Sequence, residues 1–287
     1  MIKLFISIFI LFISFIYSQN YLSVCAIFRD EAAYLKEWIE FHKLQGVEHF
    51  YLYNNLSTDN YKEVLSEYDQ IVTLVEWPYD YTHVIDWGNI QCNSYMNCIA
   101  RFGERSKWMA FIDSDEFLFC LDGEPLNKFL EKYESYPGIG INWICFGTSG
   151  VFDLLDNELM IEKLYKCSKT KENNILKCIV KPGEVERCPS PHFFIFKNGQ
   201  SLVDEDGIPL LDGITKSHKG SKIRINHYWT RTVSYYLNQK IPRYLEWEYM
   251  PIKQFLQRQP SYEKDDDYKI QQFVPLLKTR IVKQTTL

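Results

Sequence analysis

The sequence predicts an α/β fold: a mixed, mostly parallel central sheet flanked by helices, ending in a helical tail. Two observations carry this. Short apolar segments with almost no charge recur in the first 120 residues, as expected of strands covered on both faces. Between them lie segments whose apolar residues fall at helical spacing. Residues 22–28 (Leu-Ser-Val-Cys-Ala-Ile-Phe) form the first such strand. Arg29-Asp30-Glu31 breaks it, with Asp30 placed as a helix N-cap. Leu35, Trp38, Ile39 and His42 share one helical face, and Gly46 stops that helix. Val47 to Tyr53 is the second strand, and Ile71 to Trp77, after a short helix, is the third. A helix over about 88–101 leads to the apolar run that ends at Asp113. Beyond Asp115 the pattern changes: a helix at 125–133, a strand at 140–146, then short strands at 158–167, 175–181, 192–197 and 222–229. From about 232 the chain reads as helices with an acidic break at Asp265-Asp266-Asp267. The expected organisation is residues 1–18 as a leader, 21–240 as one domain and 241–287 as a helical extension.

Of the 287 residues, 46% are hydrophobic, ample for a sizeable core. The net charge of −5, with no basic block, gives nucleic acid no electrostatic footprint. Lys3 followed by the apolar run Leu4–Tyr17 and Ser18 reads as a secretory signal peptide, with a short uncleaved membrane anchor as the alternative. Eight cysteines suit an oxidising compartment. Cys167 and Cys178 flank a polar stretch, so a loop-closing disulfide between them is the expectation. Asn55-Leu56-Ser57 is a glycosylation sequon.

The stretch Trp108–Phe119 concentrates the chemistry. An apolar run of strand length ends in Asp113 and Asp115, two positions apart, so both carboxylates point the same way at the strand's carboxyl edge. In open α/β sheets that edge binds ligands. Two carboxylates aimed at one spot imply a divalent cation between them and a phosphorylated substrate. The same spacing recurs at Asp204/Asp206, inside a turn, and at Asp265/Asp267, in a solvated segment. Strand context singles out the copy at 113.

Several blocks, in order, resemble glycosyltransferase family 92, within the GT-A nucleotide-sugar fold. They are Phe28-Arg29-Asp30-Glu31 with Glu37–His42 and Gly46-Val47; Tyr53-Asn54-Asn55 with Ser57 and Asp59; Gln91; and Asp113-Ser114-Asp115-Glu116-Phe117. Trp143 with Phe146–Gly150, Lys181-Pro182-Gly183 and Asn226-His227-Tyr228-Trp229 follow. One departure is Arg231-Thr232, where relatives carry Lys-Ser. The resemblance spans roughly 22–240. It implies Mn²⁺ (or Mg²⁺) held by Asp115, with Asp113 reaching the ribose or the metal through water, and His227 as the third protein ligand. It implies a UDP-sugar donor, galactose first, and a glycan or glycoprotein acceptor in the ER or Golgi lumen. Membrane contact is expected only through an N-terminal anchor.

For the donor, Arg29 is a diphosphate contact or a surface ion pair. Asp30, Asn54, Asn55 and Asp59 are nucleoside contacts or plain turn and cap residues, and Gln91 is either a contact or a solvated helix residue. His192 is a lesser candidate, lining the acceptor side. Inverting transfer, the implied outcome, needs a carboxylate base. Asp153, Glu158 and Glu162 qualify by position, with Asp153 and Glu162 preferred. Two other classes compete: a non-catalytic carbohydrate- or nucleotide-binding relative, and a nucleotidyltransferase. The latter is disfavoured because the loop after the first strand, Phe28–Ala32, has no glycine to cradle a triphosphate.

Overall fold

The structure is a computed structural model that describes residues 19–80, 84–169, 174–213, 220–247 and 252–284. The leader segment 1–18 lies outside the described residues. No described helix is long and apolar enough to cross a membrane.

The first half alternates as the sequence predicts: β1 (Asn20–Phe28), α1 (Ala32–Leu44), β2 (His49–Asn54), α2 (Tyr61–Ser66), β3 (Val72–Glu76), α3 (Val84–Phe102) and β4 (Ser106–Phe111). These strands lie in the order β3-β2-β1-β4, all parallel. Successive side chains of a strand face opposite ways, and here both faces are covered. Leu22, Val24, Ala26 and Phe28 of β1 enter one core with α1, while Cys25 and Ile27 enter a second core with α3. Trp108 and Ala110 of β4 join the first core, Met109 and Phe111 the second. That double covering explains the absence of charge in these strands.

The second half mixes strand directions. It contains β5 (Glu116–Cys120), α4 (Leu126–Leu130), β6 (Gly138–Cys145), α5 (Met160–Lys163), β7 (Lys166–Cys167) and β8 (Leu176–Val180). Then come β9 (Val185–Ser190), β10 (Phe193–Phe196), β11 (Leu202–Val203), β12 (Pro209–Leu210) and β13 (Ile223–His227). Strand β8 inserts between β4 and β6, antiparallel to both. Strand β13 runs parallel to β6 and antiparallel to β5. Among the described residues the result is a ten-stranded, mixed and mostly parallel sheet with helices on its faces.

Beyond β13 follow α6 (Val233–Tyr235), a π-helical turn over Tyr236–Lys240, α7 (Ile241–Trp247), α8 (Ile252–Ser261), β14 (Asp265–Asp266) and α9 (Val274–Gln284). This segment is woven into the body. Strand β14 pairs with β7, and the Asp267 carboxylate takes two hydrogen bonds from the buried Arg224 of β13, at 2.9 and 2.6 Å. Ile270 and Leu277 are buried against the first core.

Three local expectations change. The strand expected at 158–167 is instead helix α5 followed by the two-residue β7. The buried Glu37 carboxylate accepts the Met160 and Ile161 N–H groups at 2.9 and 3.0 Å, which holds a helical turn there. Asp30 does not cap α1. Its backbone is left-handed (φ 56°) and its Oδ1 accepts from Thr58 N, while Asp59 Oδ2 accepts the Ala32 N–H at 2.7 Å. Cys167 and Cys178 are both buried free thiols, so the Cys167–Cys178 bridge is absent. Cys167 belongs to the core on one face of the sheet and Cys178 to the core on the other.

Candidate active site

The carboxyl ends of β1, β4 and β13 open onto a cleft of about 600 Å³, a volume suited to a nucleotide-sized ligand. Its floor is the turn after β4. That strand ends at Phe111, one residue short of the end of its apolar run at Ile112. Asp113 and Asp115 therefore sit in a tight turn in which Glu116 N–H donates to Asp113 O and Asp113 N–H donates to Glu116 Oε2. Both aspartates still line the cleft. The turn divides their surroundings.

Asp113 faces β8 and α3. Its Oδ1 accepts from Lys177 Nζ at 2.7 Å, Gln91 Nε2 at 2.6 Å and Tyr95 Oη at 3.5 Å. Lys177 is fully buried, and burial opposes its charge, but Asp113 and Glu116 outweigh burial and raise its pKa above the ordinary lysine value. Glu116 is buried as well, and burial pushes its carboxyl well above the usual range despite Lys177. Gln91, ambiguous in the sequence, is buried and directed at Asp113.

Asp115 faces β13. The β5–β13 ladder sets His227 opposite Glu116, and Tyr228 N–H donates to Asp115 O, so the His227 ring arrives beside the Asp115 carboxylate. His227 Nε2 lies 3.3 Å from Asp115 Oδ1. Lys240, at the end of the π-helical turn, reaches to 3.4 Å from Asp115 Oδ2. Its ammonium lies 5.1 Å from the centre of the Trp229 ring. π-Turns of this kind cluster at functional sites. Burial opposes ionisation of Asp115, yet His227 and Lys240 hold it well below the usual carboxylate range. Burial lowers the Lys240 pKa.

The residues present fit a hard divalent cation only in part. No group of three or more His, Cys, Asp or Glu side chains able to hold a metal occurs among the described residues. Asp115 Oδ1 and His227 Nε2, however, have close to the spacing of adjacent ligands on one cation with bonds of about 2.1 Å. Two protein ligands leave the remaining positions for phosphate oxygens and water, the usual arrangement for a cation that arrives with a nucleotide.

Glu31 in the cleft lining is held by a buried clamp. Arg231 is fully buried with a left-handed backbone (φ 51°), a strained conformation for a long side chain. Its guanidinium pairs with Glu31 and lies between the Tyr34 and Tyr235 rings, 3.9 and 4.6 Å from their centres. Glu31 also accepts from Tyr235 Oη at 3.2 Å. The clamp ties the start of α1 to the segment beyond β13.

The remaining sequence candidates separate into two sets. Arg29 and His192 line the cleft. Asp30, Asn54, Asn55 and Asp59 do not. Their side chains hold the β1–α1 and β2–α2 loops together, with Asn54 donating to Glu76 and Asn55 donating to the Trp77 and Tyr79 carbonyls. Asp153 is exposed and outside the cleft lining; Glu158, half-buried and paired with Lys163 at 2.7 Å, is outside it too. Glu162 pairs with Lys278 at 2.6 Å, also away from the cleft. Lys177, Lys240, Glu31 and Arg243 were not singled out from the sequence. A lone lysine in the apolar run Ile175–Val180 was a visible signal for Lys177, whereas Lys240 has no local signature.

Comparison with known proteins places this geometry. A glycosyltransferase family 92 protein of Oryza sativa subsp. japonica is 35% identical over 44% of this chain and 21% of its own length. One from Arabidopsis thaliana is 33% identical over 46% of this chain and 24% of its own. The beta-1,4-galactosyltransferase galt-1 of Caenorhabditis elegans is 24% identical over 72% of this chain and 48% of its own. The matched region thus spans about a fifth to a half of these relatives. Among solved structures, HddC from Yersinia pseudotuberculosis superimposes with a TM-score of 0.33 at 13% identity, over 66% of this chain and 95% of its own. The sequence pattern of glycosyltransferase family 92 matches residues 20–272, which takes in the paired aspartates, His227 and the π-turn with Lys240. The chain belongs to glycosyltransferase family 92.

Proposed function

We propose that this chain is a metal-dependent glycosyltransferase that moves a sugar from a UDP-sugar to the hydroxyl of a glycan or glycoprotein acceptor, with inversion, in the lumen of the secretory pathway. The observation that carries the reading is the Asp115–His227 pair, 3.3 Å apart at the cleft floor. Galactose is the donor sugar of choice because galt-1 is named a galactosyltransferase.

In this reading Asp115 and His227 hold Mn²⁺ or Mg²⁺ together with the donor diphosphate. The cation, when bound, would stabilise the charge that develops on the leaving UDP. Lys240, 3.4 Å from Asp115 Oδ2, would add a second positive charge on the same side, and Arg243 lines the cleft one turn further on. Asp113 has a different task. Lys177, Gln91 and Tyr95 hold its Oδ1, leaving Oδ2 without a hydrogen bond among the described residues and able to accept from a ribose hydroxyl. The Glu31–Arg231 clamp keeps both walls at fixed separation, which orients the donor. A donor screen tests the reading: purified protein, Mn²⁺ and a panel of UDP-sugars, with UDP release and acceptor modification measured. Turnover of one UDP-sugar that stops with EDTA is expected. Failure of every donor to turn over would sink it.

A further inference from the structure

Sugar transfer requires a group to take the proton of the attacking hydroxyl, most often a carboxylate. Among the described residues, the carboxylates lining the cleft are Glu31, Asp113 and Asp115, and each is engaged. Glu31 is bound by Arg231 and Tyr235, Asp113 by Lys177 and Gln91, and Asp115 lies against His227 and Lys240.

His192 stands differently. Its Nδ1 lies 2.9 Å from the Leu176 carbonyl oxygen. A carbonyl only accepts, so Nδ1 carries the hydrogen and the neutral ring presents Nε2 as a bare acceptor. Nε2 makes no hydrogen bond among the described residues, and the ring lines the cleft. Burial, helped by the charge of Lys177, lowers its pKa to about 4, so the ring is neutral at physiological pH. The position is also apt. The Trp143 indole meets His192 edge-on with centres 5.1 Å apart, and meets His227 edge-on at 4.4 Å. His192 therefore stands one indole away from His227 of the Asp115–His227 pair, and Trp143 lines the cleft with both histidines.

We propose that His192 is the general base of the transfer and that its Nε2 marks the acceptor side of the cleft. This rests on the transferase reading above. As the acceptor oxygen bonds to the sugar's anomeric carbon, the bond from that carbon to the diphosphate oxygen breaks and its electron pair leaves with UDP. The hydroxyl proton passes to His192 Nε2, and the resulting imidazolium returns it to solvent after product leaves. Negative charge from the bound nucleotide favours the imidazolium as it forms.

The discriminating variant is His192→Asn, whose amide N–H can still donate to the Leu176 carbonyl while the Nε2 position is lost. With the donor that the wild type turns over, kcat for transfer should fall by about 100-fold or more. The calorimetric Kd for UDP with Mn²⁺ should stay within about twofold of wild type, since no ground-state donor contact is removed. In His192→Gly, added imidazole should restore part of the transfer rate. Transfer by His192→Asn within about threefold of wild type would overturn the proposal. So would a loss of UDP affinity that parallels the loss of kcat, the mark of a merely structural histidine. A wild-type protein that neither binds UDP nor turns over any UDP-sugar would fail the transferase reading itself, whereas normal turnover by His192→Asn fails this inference alone.

Discussion

Asp113 and Lys177 are 64 positions apart in the chain and meet at 2.7 Å, with the lysine entirely enclosed by the sheet. One of the two aspartates that look like metal ligands therefore has a permanent internal counter-ion. The other has His227 and a lysine on a π-turn. In the proposed reading, the pair with one spacing in sequence splits into a positioning carboxylate, Asp113, and a cation-binding one, Asp115.

Lys177→Met tests the first half of that division. Asp113 is partly exposed, so removing its buried partner leaves a half-solvated charge and costs about 1–3 kcal/mol. Denaturant unfolding at pH 7 should show this loss. The folded-state pKa of Lys177 lies above its ordinary value, so its contribution is complete at neutral pH and disappears only as pH rises past about 10.4. Wild type and variant should therefore converge in stability in strong alkali. Equal stability at pH 7 would show that Asp113 does not depend on this lysine.

Asp115→Asn tests the second half. The carboxamide keeps the shape but is a poor cation ligand, so metal-dependent transfer should drop by about 100-fold or more. The circular-dichroism melting curve should remain cooperative. Transfer at the wild-type rate would remove Asp115 from the metal site.

Part of the acid stability depends on groups far from the cleft. Burial lowers the His42 pKa to about 3, with its Nδ1–H donating to Trp38 O at 2.8 Å and its Nε2 accepting from Leu118 N–H at 3.2 Å. The unfolded chain takes up a proton near pH 6.5 that the folded one refuses, so stability falls as pH drops from about 6.5 towards 3. Asp267 is opposed by burial but held down to about 2 by Arg224, so its contribution is present above about 3.9 and fades as pH falls towards 2. The contributions of His42 and Asp267 to the unfolding free energy should decline in these two windows. His42→Gln should flatten the upper one, and an unchanged slope there would contradict the assignment.

Asn55 sits in a sequon but is fully buried, and its Nδ2 donates to two backbone carbonyls at 2.9 and 2.7 Å. The nitrogen a glycan would occupy is already committed. Protein secreted from a glycosylating host should carry no sugar at Asn55 by peptide mass mapping. Full occupancy would mean that the loop after β2 folds differently.

The strands up to Phe111 were legible because parallel strands buried on both faces must be apolar, a constraint written locally in residues 22–28 and 108–112. The paired aspartates were legible for the same reason, since they terminate such a run. The turn that holds them was not, because its hydrogen bonds depend on Glu116 and on the neighbouring β13. Asp30, Asn54 and Asn55 carry types that serve equally for ligand contact and for loop closure, and local sequence does not separate the two uses. Lys240 and Lys177 reach the aspartates across 125 and 64 positions, contacts that no periodicity encodes. The helix at Met160 was misread as a strand because its cap, Glu37, lies 123 residues away.

Calorimetric titration of UDP into the wild-type protein, with Mn²⁺ and then with EDTA, tests the central claim most directly. On the proposed reading Asp115 and His227 would supply only part of a coordination shell, so metal and diphosphate should bind together: UDP binds with Mn²⁺, binds at least about tenfold more weakly without it, and loses that increment in Asp115→Asn. UDP binding of equal strength in EDTA, or no UDP binding at all, would contradict the account.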